Sequence, residues 1–494
     1  MFCQSTLSRK VTLLLLAAAL TACDSASINQ FATTAGYEST VNPESTTVSV
    51  QEPVTVLGSG QIETQEPGLA NDVANDGLAN DDLASTEQPV NNQVDNDQQI
   101  NDALVVDSES TSARDFCPEY ETSPLYRPRS NVLLIGPGES DWELKIENAR
   151  ADTEILLLDG EYLLDFESIF MDKPDITIRS LSGNQDAVVI KGLGFDIGTS
   201  EGFMIAADRI TIADISMHGM RRHAIAMKPG LDNDAILDKT YIYNVNLYDI
   251  GTQQIKGADS GENRDAIIAC SKIGYTAGAV RGDYIGAIGI FEGSDVIVRD
   301  NYVYNITGDG TGCNVANPLE PCTYDTVPAI YMRDSRDSIV ERNVVVESWR
   351  GISLGLTNGH TRGVIRNNFV YRSTPGDMGI SVERSTNTIV EHNTVFVNGY
   401  FAPIEVRGGS GHIFRNNLTS VPIQSRDGAT NLSIEGNGNI DFATTNELVS
   451  ASEPHLRSDS IAIGAGVAPA AVTLDIDGQV RTGSWDVGAD QYSD

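Results

Sequence analysis

A short pattern of apolar and polar residues recurs along the second half of the chain, and each copy ends on an asparagine. The five clearest copies are Ile297–Asn301, Ile339–Asn343, Val364–Asn368, Ile389–Asn393 and Ile413–Asn417, and a sixth, weaker copy ends at Asn437. These asparagines are separated by 42, 25, 25, 24 and 20 residues. Removing an apparent insertion of 19 residues, 308–326, shortens the first interval to 23. A fixed period in this range predicts a repeat architecture.

Each unit has the two-residue period of a strand and lacks the 3.6-residue stripe of an amphipathic helix. A second strand-like segment follows each asparagine, as in Ala329–Arg333, Gly351–Gly355, Gly379–Glu383, Pro403–Arg407 and Pro422–Arg426. Short strands joined by tight turns, at about 24 residues per unit, can bury their apolar faces only by stacking in parallel, which predicts a β-solenoid. One asparagine per coil can form hydrogen bonds with the asparagines of both neighbouring coils. We therefore expect a buried row of polar side chains whose hydrogen-bonding groups all have partners.

With its asparagine row, the sequence resembles the right-handed parallel β-helix family, whose best-known members are pectate-lyase-like proteins. The resemblance covers residues 151–440 and implies an all-β fold of about ten coils with an N-terminal cap. It says little about function, since this fold carries lyases, hydrolases, epimerases and adhesins that are not enzymes.

Composition divides the chain into five parts. We expect a leader at 1–23, an acidic tether without folded structure at 24–115, a cap at 116–150, the β-helix at 151–445 and a C-terminal tail at 446–494. The tether holds 17 acidic residues and one basic residue, Arg114, with very few aromatic residues. Such a segment cannot bury enough apolar surface to order itself.

The leader has a basic pair, Arg9 and Lys10, followed by a ten-residue apolar run, Val11–Leu20, that is too short to span a bilayer. Leu20–Cys23 (Leu-Thr-Ala-Cys) then resembles the bacterial lipobox. The resemblance implies lipidation of Cys23 and anchoring to a membrane of the cell envelope, in the periplasm or at the cell surface. The alternative is an ordinary secretory leader in which the cysteine occurs by chance.

The net charge of the chain is −36, of which the tether contributes −16 and the leader +2, leaving −22 for residues 116–494. An acidic domain offers no basic face for phosphates, so nucleic acid is excluded as a partner. A polyanionic glycan would be repelled at long range except where a local basic patch recruits it. We expect a monomer.

Four cysteines lie outside the leader: Cys117, Cys270, Cys313 and Cys322. Cys313 and Cys322 bracket a loop inside the apparent insertion, so a disulfide there is our first choice, and Cys117–Cys270 follows by elimination. With neither a Cys-x-x-Cys pair nor a nearby histidine, we assign no metal site. Asp475 and Asp477 belong to an Asp-x-Asp-Gly motif for which a turn is favoured over Ca²⁺, because the bidentate glutamate of a calcium loop is missing.

Candidate chemistry must lie on the outer face of the second strands. Counting from the inward isoleucine of each strand, the next residue and the third one on point outward. The two predicted rows bring together the candidate catalytic residues Lys256, Arg333 and Arg407, and the candidate substrate-binding residues Phe291, Tyr331, Glu383 and Glu405. Loops at 257–286 and 308–326 are expected to wall this face.

Five of these residues also have an interpretation that involves no function. Glu383 and Arg407 can be a simple surface ion pair, Phe291 and Tyr331 can be core covered by a loop, and Lys256 can be a solvated charge.

Two functions therefore remain open. The favoured one is an enzyme acting on a polysaccharide, most simply a lyase. β-Elimination needs a base for the C5 proton and positive charge for the intermediate, and β-helix lyases use Lys or Arg, often with Ca²⁺. Glu383 and Glu405 on one face leave a hydrolase open. The other function is a non-catalytic glycan-binding or adhesin-like surface protein.

The expected lipidation of Cys23 can be tested by substitution. Cys23→Ser should release the protein from the membrane fraction, because the acyl chains that hold it there can no longer be attached. Fractionation and labelling with a fatty acid check this. A variant that still pellets with membranes, together with an unlabelled wild type, would contradict lipidation.

Overall fold

The computed structural model describes residues 117–493, with gaps at 166–167, 196–200, 231–234, 259, 278, 281–283, 309–325, 357, 469–471 and 473. The expectations placed on Cys23, on the tether and on the Cys313–Cys322 bridge lie outside these residues.

The chain forms a right-handed parallel β-solenoid of about ten coils, as predicted. Each pairing between named strands is parallel and joins one coil to the next. Sheet I has 11 strands: Asn131–Ile135, Thr153–Leu157, Ile176–Ser180, Thr211–Ala213, Tyr241–Tyr243, Ile267–Ala269, Ile297–Arg299, Ile339–Glu341, Val364–Arg366, Ile389–Glu391 and Ile413–Arg415. Sheet II has ten: Gly160–Leu163, Val188–Lys191, Ser216–His218, Asn246–Tyr248, Lys272–Gly274, Tyr302–Tyr304, Val344–Val346, Phe369–Arg372, Thr394–Val397 and Leu418–Thr419.

Sheet III carries the predicted second strands. Its ten strands are Ile169–Met171, Glu201–Ile205, His223–Met227, Gln253–Gly257, Gly286–Phe291, Ile330–Arg333, Ile352–Leu354, Ile380–Glu383, Ile404–Arg407 and Gln424–Arg426. Sheet IV is short: Ile236–Asp238, Glu262–Arg264, Gly293–Ser294, Ser335–Arg336 and His360–Thr361. The remaining elements are a strand pair, Ala279–Val280 with Thr307–Gly308, an α-helix, Trp142–Glu147, and two 3₁₀ turns, Tyr120–Thr122 and Thr445–Glu447.

One apolar core runs through the stack, because one row of each sheet points inward on every coil. On sheet III this row contains Ile225, Ile255, Ile288, Ile330, Ile352, Ile380 and Ile404, all fully buried. Each such side chain contributes about 1.5–3 kcal/mol of burial free energy. Burial on this scale at regular spacing is what fixes which face of the strand points outward.

The predicted asparagine row is present and buried. Asn343 Nδ2 donates to Asn368 Oδ1 at 3.0 Å, and Asn368 Nδ2 donates to Asn393 Oδ1 at 3.0 Å. The same oxygens also accept the backbone N–H of the preceding coil's asparagine. The row starts at Asn301 and continues through Asn417.

The row continues beyond Asn417, but not to the asparagine that ends the sixth, weaker copy of the repeat. Asn417 Nδ2 donates to Asn439 Oδ1 at 3.0 Å. Asn437 Nδ2 instead donates hydrogen bonds to the carbonyl oxygen of Phe414 and to Ser433 Oγ. Gly436 and Gly438 have φ of +72° and +73°, so the chain turns twice here and moves the row position on by two residues.

A left-handed residue precedes each asparagine of the row from 301 to 417. The φ values of these residues are close to +50–60°: Asp300, Arg342, Asn367, His392 and Asn416. Asn and Asp tolerate this conformation better than other non-glycine residues, which explains why they recur just before the row. The turn thus aims the next side chain into the core.

The N-terminal end begins one strand earlier than expected, since Asn131–Ile135 already pairs with Thr153–Leu157. The helix Trp142–Glu147 follows and buries Trp142 and Ile146 in the core. The Cys117–Cys270 disulfide is present, with a Cα–Cα distance of 5.8 Å. It holds the first described residues against the outer face of sheet I, where Tyr120 packs among Tyr241, Tyr243 and Ala269.

The described residues between 257 and 286 do not form an inserted loop, contrary to expectation. They form an ordinary coil that contributes Glu262–Arg264 to sheet IV, Ile267–Ala269 to sheet I and Lys272–Gly274 to sheet II. The repeat was missed because Ser271 stands in the row position, where its backbone N–H donates to Asn301 Oδ1. Lys256 therefore lies within a regular strand, one residue before its end.

The C-terminal tail covers the outer face of sheet II in the last coils. Leu448, Ile476 and Val487 of the tail pack with Phe369 and Phe396 of the sheet. Among the described residues, none of the helices is long and apolar enough to cross a membrane.

Replacing one member of the asparagine row should destabilise the fold. In Asn368→Leu the amides of Asn343 and Asn393 lose buried partners, at a cost of about 1–3 kcal/mol. Urea unfolding checks this against Asn446→Leu, an exposed asparagine outside the row, which should stay within about 0.5 kcal/mol of the wild type. Equal effects of the two variants would contradict a buried row.

A buried histidine should make the fold sensitive to acid. Burial lowers the pKa of His360, which is 3% exposed, to about 4, so the folded protein keeps this ring neutral. Between about pH 6.5 and pH 4 the unfolded chain binds a proton that the folded chain does not, which costs about 1.4 kcal/mol for each pH unit. His360→Leu should reduce the loss of stability on acidification by this amount.

Urea unfolding at pH 7 and pH 5 measures the difference. His455→Leu is the control of opposite sign, because its hydrogen bond to Asp477 raises the pKa of His455 and protonation stabilises the fold. An unchanged pH dependence in His360→Leu would contradict the neutral, buried ring.

Candidate functional site

The outward residues of sheet III form two continuous rows outside the apolar core, which we call the outer strip. The first row is buried from Ala226 to Glu405, and the second row is partly exposed at its charged members. The first outward row reads Ala226, Lys256, Gly289, Tyr331, Ser353, Ser381, Glu405 and Gln424. The second row contains Phe291 and Arg333, paired across one coil, and then Glu383, Arg407 and Arg426. The structure confirms this alignment, and Arg333 and Glu383 lie on the same face.

At one part of the outer strip, two cations lie against a single ring. Lys256 Nζ is 5.0 Å from the centroid of the Phe291 ring, and Arg333 Cζ is 4.0 Å from it. The Tyr331 ring lies 5.7 Å from that of Phe291. We call these four residues the cationic cluster. Cation–π contacts of this kind favour a positive charge at the ring by about 0.5–2 kcal/mol.

The cationic cluster is largely packed. Lys256, Phe291 and Tyr331 are 6%, 4% and 2% exposed, and Val327 packs with the two rings. Arg333 is partly exposed. The rings therefore shape and support the cluster and do not present open faces to a sugar.

A glycine sets the position of Tyr331. A Cβ on Gly289 would lie 2.7 Å from the Tyr331 ring, so the ring can cross this coil only because Gly289 has no side chain. The hydroxyl then accepts a hydrogen bond of 3.1 Å from Gln253 Nε2, on the strand beyond. Gln253, which sequence reasoning missed, thus orients the tyrosine across three coils.

Toward the C-terminal end of the outer strip lies a second group, which we call the carboxyl cluster: Glu383, Glu405, Tyr400 and Arg426. Tyr400 donates its hydroxyl hydrogen to Glu405 Oε2 at 3.0 Å, and Arg426 Nε lies 3.3 Å from the same oxygen. Arg426 Nη2 also donates to the Tyr400 hydroxyl at 3.1 Å. Ser381 Oγ donates to Glu383 Oε1 at 2.7 Å.

Glu405 is 2% exposed, and this burial raises the pKa of its carboxyl to about 7. The charge of Glu383 raises the pKa further, while Arg426 and the Tyr400 hydrogen bond lower it. Near neutral pH Glu405 therefore exists as a mixture of acid and carboxylate. A carboxyl group in this state can donate a proton as well as accept one.

The three residues predicted to be catalytic do not converge. Lys256 and Arg333 share the Phe291 ring, but Arg407 lies three coils beyond Arg333, or ~14 Å at ~4.8 Å per coil. Arg407 Nε donates to Asp427 Oδ2 at 2.8 Å, so its ion pair is with Asp427.

Sequence reasoning also missed the aromatic pair Tyr400 and Phe401. The Phe401 ring is 55% exposed and lies 4.6 Å from that of Tyr400, and Arg426 Cζ is 5.6 Å from its centroid. Both aromatics belong to the turn that precedes the strand Ile404–Arg407, outside the rows that the period defines. An aromatic pair directly after Gly399 was the available signal.

Among the described residues, one group of side chains has the spacing of a metal site: Asp475, Asp477 and Asp490, whose carboxylate oxygens lie within 4.8 Å of one another. Asp475 Oδ1 accepts the N–H groups of Asp477 and Gln479, and its Oδ2 accepts that of Gln491. Backbone donors thus already occupy the most buried carboxylate, as the turn interpretation expects.

Comparison with known proteins gives a partial family match. A family model described as "Periplasmic copper-binding protein (NosD)" matches residues 313–438. The sequence matches no curated protein.

Similar solved structures include three enzymes. Pectate lyase Pel9A has 12% identity and a TM-score of 0.40, with 76% of this chain and all of that chain covered. An alginate lyase from Paenibacillus sp. str. FPU-7 has 14% identity and a TM-score of 0.34, covering 63% and 99%. DFA-IIIase from Arthrobacter chlorophenolicus A6 has 11% identity and a TM-score of 0.38, covering 61% and 93%.

Within the described part of the matched segment, no three His, Cys, Asp or Glu side chains come together at the spacing of metal ligands. Copper in proteins favours imidazole and sulfur ligands. Asn416 Nδ2 donates a hydrogen bond to His392 Nε2, and the Thr388 N–H donates one to His412 Nδ1. Both histidines are buried inside the stack. The one candidate group in the described part of the chain offers carboxylate oxygens, which suit harder ions.

Proposed function

We propose that the outer strip binds a linear, uronate-containing glycan and that the cationic cluster cleaves it by β-elimination. One observation carries the proposal: Lys256 and Arg333 both lie against the Phe291 ring on the outer face. Coils rise by ~4.8 Å, close to the length of a sugar ring, so a glycan lying along the strip meets one coil with each sugar.

The two cations suit different roles. A guanidinium stays protonated throughout the physiological pH range and binds carboxylates through a planar fork, so Arg333 is suited to hold the uronate carboxylate. An amine can exchange its proton, so Lys256 is the candidate base for the C5 hydrogen. Removal of that proton forms the C4–C5 double bond as the C4–O bond breaks. The proton then passes to the leaving oxygen, and the reaction consumes no water.

A second candidate function is glycan binding without turnover. The low exposure of Lys256, Phe291 and Tyr331 favours it, because a packed base has less freedom to reach a substrate. The same face would then recognise the carboxylate of an acidic sugar through Arg333.

We also propose that the protein acts in the cell envelope, anchored through Cys23. Three observations support this: the lipobox-like leader, the Cys117–Cys270 disulfide and the word "periplasmic" in the description of the matching family model. Disulfides persist in oxidising compartments such as the periplasm.

Removing either cation should abolish elimination. Lys256→Ala and Arg333→Ala should each lower turnover of polygalacturonate or alginate by ~10²-fold or more, the usual effect of losing a proton-transfer or charge-stabilising group. Unsaturated product is read by its ultraviolet absorbance. Lys272→Ala is the matched control, because Lys272 lies 5.5 Å from the Tyr304 ring on sheet II, with the same cation–π pairing on another face.

Equal losses in Lys256→Ala and Lys272→Ala would contradict a site at the cationic cluster. A wild type that binds these glycans without forming unsaturated product would contradict the lyase and leave the binding function.

A further inference from the structure

The carboxyl cluster has the parts of a second reaction centre. Glu383 and Glu405 come from neighbouring strands, in which Ser381 pairs with Glu405 and Glu383 pairs with Arg407. They are therefore diagonal neighbours on one face, one coil apart and two residues along the strand, which places their Cβ atoms about 8 Å apart. Glutamate side chains that start from this spacing can hold a water molecule and a glycosidic bond between their carboxyl groups.

The two carboxyl groups have different surroundings. Glu405 is enclosed, and Tyr400 and Arg426 both contact its Oε2, so the proton of the neutral acid belongs on Oε1. Glu383 is partly exposed and accepts the Ser381 hydroxyl hydrogen, a bond that orients its carboxylate along the strip. A desolvated carboxyl beside a more solvated one is the arrangement that separates a general acid from a general base.

The cluster also has a surface on which a sugar can rest. Phe401, more than half exposed, lies next to Tyr400 and under the Arg426 guanidinium. An exposed ring flanked by hydrogen-bonding groups suits the alternating C–H and hydroxyl surface of a sugar. This platform lies on the same side of the molecule as the two carboxyl groups.

We propose that Glu405 and Glu383 are the general acid and general base of a glycosidic hydrolysis centre, separate from the cationic cluster. In this reaction the bond between the anomeric carbon and the leaving oxygen breaks, and the leaving oxygen takes the proton of Glu405. Water forms the new bond to the anomeric carbon and gives its proton to Glu383. Water is the only co-reactant. The proposal rests on glycan binding at the outer strip, and it does not require the elimination at Lys256.

The ratio of reducing ends to unsaturated ends distinguishes hydrolysis from elimination. Each elimination creates one reducing end and one unsaturated end, whereas each hydrolysis creates a reducing end alone. With the full mature protein and a panel of xylan, galactomannan, alginate and polygalacturonate, we expect at least one glycan to yield more reducing ends than unsaturated ends. Glu405→Gln and Glu383→Gln should each lower this excess by ~10²-fold or more, a larger loss than that of the unsaturated product. Glu435→Gln, an exposed carboxylate off the strip, is the control.

The pH dependence of hydrolysis distinguishes a general acid from a carboxyl group that has only a structural role. The excess of reducing ends over unsaturated ends should fall as pH rises through about 7, since Glu405 must be protonated to donate a proton. Tyr400→Phe removes a hydrogen bond that favours the carboxylate, so the fall should move to higher pH. This variant and Glu383→Gln carry the test if Glu405→Gln fails to fold.

The outcomes distinguish the two proposals. Unsaturated product without any excess of reducing ends, or an excess that both glutamine variants retain, overturns the hydrolysis centre and leaves the lyase. An excess that survives Lys256→Ala and is lost in Glu405→Gln supports the hydrolysis centre alone. A panel that yields no product of either kind overturns both.

Discussion

The fold depends on the continuous hydrogen bonding of a buried row of asparagines. Each amide in the middle of the row donates to the next coil and accepts from the previous one, so a line of polar groups crosses the core without an unsatisfied member. Unpaired, each would cost about 1–3 kcal/mol. That penalty makes any shift of one coil against its neighbour expensive, and the row therefore fixes the register of the coils from Asn301 to Asn439.

Register in turn decides what the outer strip contains. A slip of one residue would move every side chain of a strand to the opposite face. With the isoleucines held inward, Lys256, Tyr331 and Glu405 are forced outward on their separate coils. Charged groups more than 70 residues apart in sequence, such as Lys256 and Arg333, thus become neighbours. The loops between coils only add to this surface.

Because strand register decides which side chains lie on the outer strip, the sequence predicts some features of the strip and not others. The outward rows follow from the two-residue strand period and the position of one isoleucine per coil, so the sequence predicts that Arg333 and Glu383 share a face. Tyr400 and Phe401 could not be found that way, because they lie in a turn whose path no period defines. Ser271 and Asn439 were missed for a related reason: another residue type holds the row position in one coil, and two glycines shift it in the other. Contacts between rows, such as Arg426 with Glu405, depend on side-chain rotamers, which a strand period does not set.

Because the chain is strongly acidic, a glycan that carries carboxylates is repelled by the protein everywhere except at local cations. The positions of the cations on the outer face therefore decide where such a glycan can bind. Hydroxyl-radical footprinting tests the central claim, that the outer strip binds glycan, most directly. Phe401 and Phe442 are 55% and 72% exposed, and Phe442 lies beyond the last strand of sheet III. An oligouronate or neutral oligosaccharide that binds along the strip should lower oxidation of Phe401 and leave Phe442 unchanged. Equal oxidation of Phe401 with and without every glycan tested would contradict the account.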